Sequence, residues 1–177
     1  MVKKMYEFLV EFFATHVDEY AELASAKLIH SPEMLRNCAL NHCGKYNRNW
    51  MCPPASENSE ALLESLKNRF GKVFLFSKIR LLRDPFDIEN MEAGRKTVER
   101  LLEDFRKKAY FPHQILAPGA CGLCETCAYP DSCRFPELAS PSLEALGINV
   151  TELAKACGIR YHNGPNTVTY FAAILYD

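Results

Sequence analysis

The sequence predicts a single compact α/β domain over residues 1–177, in which a small mixed sheet is flanked by helices. Three observations predict this fold class. Segments typical of helices and of strands alternate along the chain, and 48% of the 177 residues are hydrophobic, which suffices for one core at this length. Seven of the eight cysteines fall in two short windows, residues 38–54 and 121–136. These windows are expected to be loops inserted into the domain.

Each element is predicted from hydrophobic periodicity and from the residues that begin or end it. Apolar side chains at helical spacing and capping residues, such as Asn149 with Glu152 three positions later, predict helices. Runs of β-branched and aromatic residues predict strands. The predicted helices cover the first ~25 residues and segments beginning near Ser31, Ser59, Asp87, Ser140 and Asn149. The predicted strands are residues 26–30, 72–82, 110–117 and 167–176.

Charge and hydropathy argue against several classes of function. The chain has 21 basic and 22 acidic residues and a formal net charge of −1, which provides no basic surface for nucleic acid or for an anionic membrane. Glu7 and Glu11 interrupt the first apolar stretch, so no signal peptide is expected. The longest apolar run, residues 170–176, is far too short to span a membrane. We therefore expect a cytoplasmic protein that binds neither nucleic acid nor membrane.

The clustering of cysteines is the strongest chemical signal in the chain. The cytosol keeps thiols reduced, so disulfides are not expected, and a single cytosolic cysteine is usually a small buried hydrophobic residue. Cys157 fits that description, because it ends a predicted helix, where the negative end of the helix dipole disfavours a thiolate. The seven cysteines in the two windows point instead to metal-binding loops.

The second window has the form C-x2-C-x2-C-x5-C-x2-P, in which the cysteines are Cys121, Cys124, Cys127 and Cys133. Three cysteines at successive spacings of three let one tight loop hold three corners of a [4Fe-4S] cluster. Bacterial ferredoxins use a similar run, whose fourth cysteine ligates their other cluster. Zinc sites usually present two C-x2-C pairs separated by a longer spacer. The spacing therefore favours an iron–sulfur cluster over zinc, and leaves open which cluster Cys133 would join.

The first window has the form C-x4-C-x8-C-P-P, with Cys38, Cys43 and Cys52 as its cysteines. Three thiols are one short of a complete ligand set, and three interpretations stay open. A cysteine of the other window completes a second cluster, as in two-cluster ferredoxins; a cluster with one open iron is bound; or zinc is bound with His42. The sequence thus predicts one or two [4Fe-4S] clusters, with zinc as the alternative.

Four other residues in the windows are candidates for contacts around the metal. Basic side chains can neutralise an anionic, thiolate-bound cluster or hold a small anionic substrate, and residues around a metal site orient its ligands. These candidates are Lys45, Arg48 and Trp50 in the first window and Arg134 in the second.

Both windows resemble conserved blocks of a known family. Residues 43–54 (CGKYNRNWMCPP) resemble the block C-x-x-Y-G-K-N-W-x-C-P-P of a family of predicted metal-binding proteins catalogued as a domain of unknown function. Residues 121–136, followed by residues 140–150, resemble its second block, C-x-x-C-x-x-C…C-R-x-P…S-M-E-A-x-G-I-D-V. The two blocks occur in the expected order. The resemblance implies metal or cluster binding through both blocks together, and it implies no particular reaction.

Three functions of different classes agree with these observations, and we rank them in this order. The first is electron transfer between a cluster and a redox partner protein. The second is an enzyme in which an open iron at Cys38, Cys43 and Cys52 acts on a small-molecule substrate. The third is a zinc-binding structural or sensor protein without redox chemistry.

Overall fold

The computed structural model describes residues 2–56 and 58–177, and its centre is a four-stranded sheet in the spatial order β1-β2-β4-β3. The strands are β1 (Glu19–Ala24), β2 (Lys72–Leu81), β3 (Gln114–Leu116) and β4 (Thr167–Tyr176). The α-helices are α1 (Val2–Phe13), α2 (Pro32–Ala39), α3 (Ser59–Arg69), α4 (Ile88–Lys108) and α5 (Val150–Ala156). This architecture confirms the predicted α/β class. None of the helices in the described ranges combines the length and the apolar character needed to cross a bilayer.

The sheet is antiparallel in every described pairing, so the prediction of a mixed sheet was wrong. That prediction came from the alternation of strands and helices, which is typical of parallel crossover units. Such a unit is present in part, since β2 and β3 run parallel to each other and α4 connects them along the chain. The C-terminal strand β4 lies between them and pairs antiparallel with both.

Strand β2 shows why the sheet has a core on each face. Val73 and Leu75 belong to the core beneath α3 and α5, whereas Phe74 and Phe76 belong to the core beneath α1 and α4. Successive side chains of a strand point to opposite faces. A strand that is covered on both faces therefore needs an apolar residue at every position, which explains the unbroken apolar run that residues 73–76 form in the sequence.

Two predictions for the N-terminal part of the chain were wrong. The helix predicted over the first ~25 residues ends at Phe13, and Glu19–Ala24 forms β1. Packing against neighbouring strands outweighs the intrinsic preference of a short segment, and β1 pairs with β2 along its whole length. The strand predicted over residues 26–30 is replaced by a 3-10 turn at Ser25–Lys27.

The remaining predicted elements are present, some of them with shifted ends. Helix α3 is capped by Asn58 rather than by Ser59. Strand β3 is shorter than predicted, and the helix predicted from Ser140 is a 3-10 turn at Glu144–Leu146. Helix α4 begins near Asp87 as predicted, and α5 begins after its predicted capping residue Asn149. The side chains of Asp87 and Asn149 both accept backbone hydrogen bonds.

The contact between α2 and the Glu144–Leu146 turn brings the two cysteine windows together. Helix α2 leads into residues 38–54, and the turn follows residues 121–136. The Ser31 N–H donates to the Gly147 carbonyl over 2.7 Å and fixes the same junction. The windows therefore meet although about seventy residues of chain, including β2 and α4, separate them.

Candidate metal centre

The seven cysteines of the two windows differ in depth. Cys52 is buried, with 8% of its surface exposed, and Cys43 is exposed. The others are intermediate in exposure: Cys38, Cys121, Cys124, Cys127 and Cys133. Cys38 lies in the last turn of α2, and the other six lie in turns and irregular segments.

Asn49 joins the backbones of the two windows. Its side chain is buried, with 4% exposure, and its Nδ2 donates to the carbonyl of Cys121 over 3.0 Å. Its Oδ1 accepts from the Met51 N–H, also at 3.0 Å. The amide is thus satisfied on both sides and fixes the segment before Cys52 against Cys121, the first cysteine of the second window.

Trp50 and Tyr129 form a second connection between the windows. The indole Nε1–H of Trp50 donates to the carbonyl of Asp131 over 2.6 Å. The ring of Tyr129 meets the indole edge-to-face with centroids 5.0 Å apart, and its hydroxyl donates to Asn47 Oδ1 over 2.9 Å. Aromatic pairs of this kind contribute beyond the area they bury. This contact holds residues 47–50 against the loop between Cys127 and Cys133.

The four cysteines of the second window line one small cavity of ≈ 20 Å³. The first window closes this cavity with Asn49, Trp50 and Met51. The wall also includes Leu123, Ala128, Phe135 and Ala139, all of which are apolar. The four cysteines that are close together in the sequence therefore also line one cavity, whose other walls are largely apolar.

The protonation of the thiols reflects their mutual proximity. Burial, together with the negative charge of the nearby thiolates of Cys43, Cys38, Cys121 and Cys127, raises the pKa of Cys52 to about 12. Because Cys52 interacts with cysteines of both windows, the windows form one thiol-rich region. A bound metal cation would offset the free-energy cost of deprotonating Cys52, since thiolates rather than thiols bind metals.

Burial also raises the pKa of Cys121, and the thiolates of Cys127 and Cys133 contribute in the same direction. Backbone N–H groups of Leu123 and Ser140 oppose the rise by donating to the sulfur. Donors to the sulfur stabilise the thiolate form. The loop therefore already offers Cys121 part of the support that a metal-bound thiolate uses.

A larger cleft, which we call the charged cleft, lies between the windows and α4 and has a volume of ≈ 640 Å³. Cys43, Cys121 and Cys124 open onto it. Its walls also carry four basic and four acidic side chains: Lys45, Arg95, Lys96 and Arg100, with Glu92, Glu99, Glu103 and Glu125. Solvent thus reaches cysteines of both windows through a passage lined by charge of both signs.

Gly122 allows the second window to approach α4 closely. A Cβ atom at this position would lie 2.9 Å from Arg95 Nη1 and would also meet the Glu99 carboxylate. Gly119, three residues earlier, has a φ of +71°, which favours glycine over residues with a side chain. These glycines let the chain turn beside Cys121 and lie against the helix.

The four residues predicted to surround the metal lie in different places. Trp50 joins the windows, and Arg134 donates from Nη1 to the Thr126 carbonyl over 2.9 Å, across the loop of the second window. Lys45 lines the charged cleft. Arg48 is exposed.

Residues 21–176 match the family model described as "Predicted metal-binding protein (DUF2284)". The chain belongs to this family. The match includes both windows and confirms the resemblance seen in their motifs. No curated protein and no solved structure matches the chain.

The donor chemistry of the windows suits the metal-binding character of the family. Thiolates are soft ligands that select iron–sulfur clusters, zinc or Cu(I), and the two windows bring seven thiols into one region. Within residues 2–56 and 58–177, no three His, Cys, Asp or Glu side chains converge closely enough to hold a single metal ion. The seven cysteines are therefore identified as candidate ligands by the chemistry of their thiols and by their proximity to one another.

Some contributors to the site were not predicted from the sequence. The burial of Asn49 was not predicted, because it depends on a contact with Cys121, 72 positions away in the chain. Tyr129 was missed for the same reason. Arg95 and Glu99 were not predicted as part of the site, and only the fold places them opposite the second window. A buried amide that joins two distant cysteine windows has no signature in a single sequence.

Proposed function

We propose that this protein binds at least one [4Fe-4S] cluster with cysteines of both windows and transfers electrons to or from a redox partner protein. The observation that carries the proposal is the cavity shared by Cys121, Cys124, Cys127 and Cys133 and closed by the first window. A tandem of closely spaced cysteines in one loop is typical of clusters, whereas zinc usually joins two separated pairs. Because the centre needs reduced thiols, the proposal includes a cytoplasmic location.

When bound, the cluster would supply one-electron oxidation and reduction at a potential set by its surroundings. The protein residues would define those surroundings. Trp50 and Asn49 line the cavity, and Arg134 bridges the loop that leads to Cys133 by its hydrogen bond to the Thr126 carbonyl. The exposure of Cys43 and the intermediate exposure of Cys124 and Cys127 support a centre near the surface, where a partner could exchange electrons with it.

Metal and sulfide analysis of the anaerobically purified protein tests this proposal. We expect about four irons per chain for one cluster, or about eight for two, with acid-labile sulfide in equal amount. A redox titration followed by EPR should show reversible one-electron reduction without any substrate. One zinc per chain with no acid-labile sulfide would refute the proposal and establish the structural or sensor function instead.

A second candidate function is an enzyme in which the first window leaves one iron open to a small substrate. The specific observation that favours it is the exposure of Cys43 at the charged cleft, which gives a small molecule a path to the centre. Its test is the EPR spectrum of the reduced protein with and without a small thiol or carboxylate. A changed spectrum supports an open iron, and four cysteine ligands per cluster with no response to either compound excludes it.

A further inference from the structure

The charged cleft is shaped to leave space beside the cysteines. Its lining includes Gly119, Ala120 and Gly122, none of which has a side chain larger than a methyl group. One wall is α4, and the other is formed by the windows. The volume of ≈ 640 Å³ falls within the range of about 300–1,000 Å³ that is usual for small-molecule sites.

Some of the charged side chains in this cleft form ion pairs with one another. Arg95 donates to both carboxylate oxygens of Glu92, at 3.0 and 2.6 Å, and also to Glu99. All three side chains belong to α4 and lie three or four residues apart, a spacing that supports such pairs. Lys96 Nζ also lies 4.0 Å from Glu92 Oε1, so two basic and two acidic side chains of α4 balance one another in this wall.

Four other charged side chains in the cleft form no ion pair with any residue that the structure describes. They are Lys45 and Arg100, which are basic, and Glu103 and Glu125, which are acidic. Each wall supplies one of each sign, since Arg100 and Glu103 belong to α4 while Lys45 and Glu125 belong to the windows. Each wall of the cleft therefore presents both a positive and a negative charge.

We propose that the charged cleft binds a small zwitterion, a molecule that carries both a carboxylate and an ammonium group. A carboxylate would meet Lys45 or Arg100, and an ammonium group would meet Glu103 or Glu125. A ligand with a single charge would be repelled by the side chains of the same sign on both walls, so the cleft disfavours a simple anion or a simple cation. The inference deepens the proposed metal centre, because Cys43, Cys121 and Cys124 line the same space.

A neighbouring cavity indicates what kind of zwitterion fits. It has a volume of ≈ 40 Å³, shares Glu99, Glu103, Cys121 and Gly122 with the charged cleft, and continues between apolar side chains. These apolar side chains are Leu102, Ile115, Leu123 and Leu138. Space of this size accepts a few carbon atoms. The ligand class is therefore an α-amino acid, or a molecule like it, with a short aliphatic side chain.

Calorimetric titration of the anaerobically purified protein with three matched probes tests this inference. The probes are L-leucine, 3-methylbutylamine, which lacks the carboxylate, and 4-methylpentanoate, which lacks the ammonium group. We expect L-leucine to bind at least about tenfold more tightly than either analogue, since one charge-assisted hydrogen bond is worth that much or more. Equal affinities for all three probes, or no binding of L-leucine at millimolar concentration, would overturn the inference.

Variants locate the binding. Arg100→Met should reduce the affinity for L-leucine and 4-methylpentanoate about tenfold but leave that for 3-methylbutylamine unchanged, and Glu103→Gln should show the reverse selectivity. Lys107→Met, on the same helix but not lining the cleft, is the matched control and should bind all three probes like the wild type. Identical affinities in Arg100→Met, Glu103→Gln and the wild type would contradict the assignment.

Iron and sulfide counts on the same samples separate this inference from the proposed function. Normal iron with no L-leucine binding would refute the zwitterion site and leave the cluster proposal standing. L-leucine binding to a protein that contains zinc and no sulfide would refute the cluster proposal and leave the zwitterion site standing.

Discussion

At the residue scale, the buried amide of Asn49 is the most informative contact between the windows. It satisfies the Cys121 carbonyl and the Met51 N–H at the same time. A buried polar group that loses its partner costs about 1–3 kcal/mol. We therefore expect Asn49→Ala to lower the free energy of unfolding by about that amount, measured by urea denaturation.

The control for this variant is Asn68→Ala, at an exposed position near the end of α3. Surface substitutions usually change stability by less than about 0.5 kcal/mol. Equal effects of the two variants would show that the Asn49 amide does not join the windows.

Asp87 provides a pH-dependent prediction at the same scale. Hydrogen bonds from the Arg83 side chain, then from its backbone and from Asn90, hold the pKa of Asp87 well below its usual value although burial opposes this. A carboxylate with a depressed folded-state pKa adds stability above its unfolded pKa of about 4, and that stability is lost as the pH falls below it. The stability difference between the wild type and Asp87→Asn should therefore shrink as the pH is lowered from 7 to 3.

Urea denaturation at several pH values measures this difference. Asp104→Asn, an exposed position on the same helix, should change stability little at any pH. A difference between the wild type and Asp87→Asn that stays constant down to pH 3 would contradict the role of the Asp87 carboxylate.

At the element scale, Gly147 ends the 3-10 turn that connects α2 to the second window. Its φ is +74°, and a Cβ atom there would lie 2.6 Å from His30 Cδ2. Gly158 has a similar φ of +70° but has no neighbouring atom within 4 Å of such a Cβ. The two positions thus share the backbone penalty and differ in the contact.

We expect Gly158→Ala to cost about 1 kcal/mol for the left-handed backbone alone, and Gly147→Ala to cost more, about 2–4 kcal/mol, because His30 must also move. Thermal and urea denaturation of both variants measure the difference. Equal losses of stability in the two variants would mean that His30 can move away from a Cβ atom at position 147 without lowering the free energy of unfolding.

The elements also show which features a sequence can reveal. The apolar periodicity of α4 and the Asn149 cap of α5 both act between residues close in the chain, so these helices were predicted correctly. Strand β1 was missed because its partner is β2, about fifty positions later, and the order of the strands in the sheet depends on contacts of this long-range kind. The spacing of cysteines is visible among residues close in sequence, so both windows were found. The contact of Asn49 joins residues far apart in the chain and was not predicted.

At the scale of the whole molecule, we expect the two cysteine windows to differ in stability from the sheet and its two cores. The strands β2 and β4 are buried between helices on both faces, and a chain of this length buries enough surface to fold without a metal. The windows are largely irregular and half exposed. Their order is therefore expected to depend on a bound metal more than that of the sheet.

Hydrogen exchange before and after anaerobic chelation tests this separation. Amides of residues 38–54 and 121–136 should lose protection when the metal is removed, whereas those of β2 and β4 should keep theirs. Loss of protection throughout the sheet would show that the metal is required for the fold itself.

The most direct test of the central claim, that the two windows hold the metal centre together, compares two cysteine variants. Cys52 is buried and interacts with cysteines of both windows, whereas Cys157 is the C-cap residue of α5 and packs against the core. We expect anaerobically purified Cys52→Ala to lose about half of its iron or more and Cys157→Ala to retain the wild-type iron and sulfide. Full iron in Cys52→Ala, or loss of iron in Cys157→Ala alone, would contradict the claim.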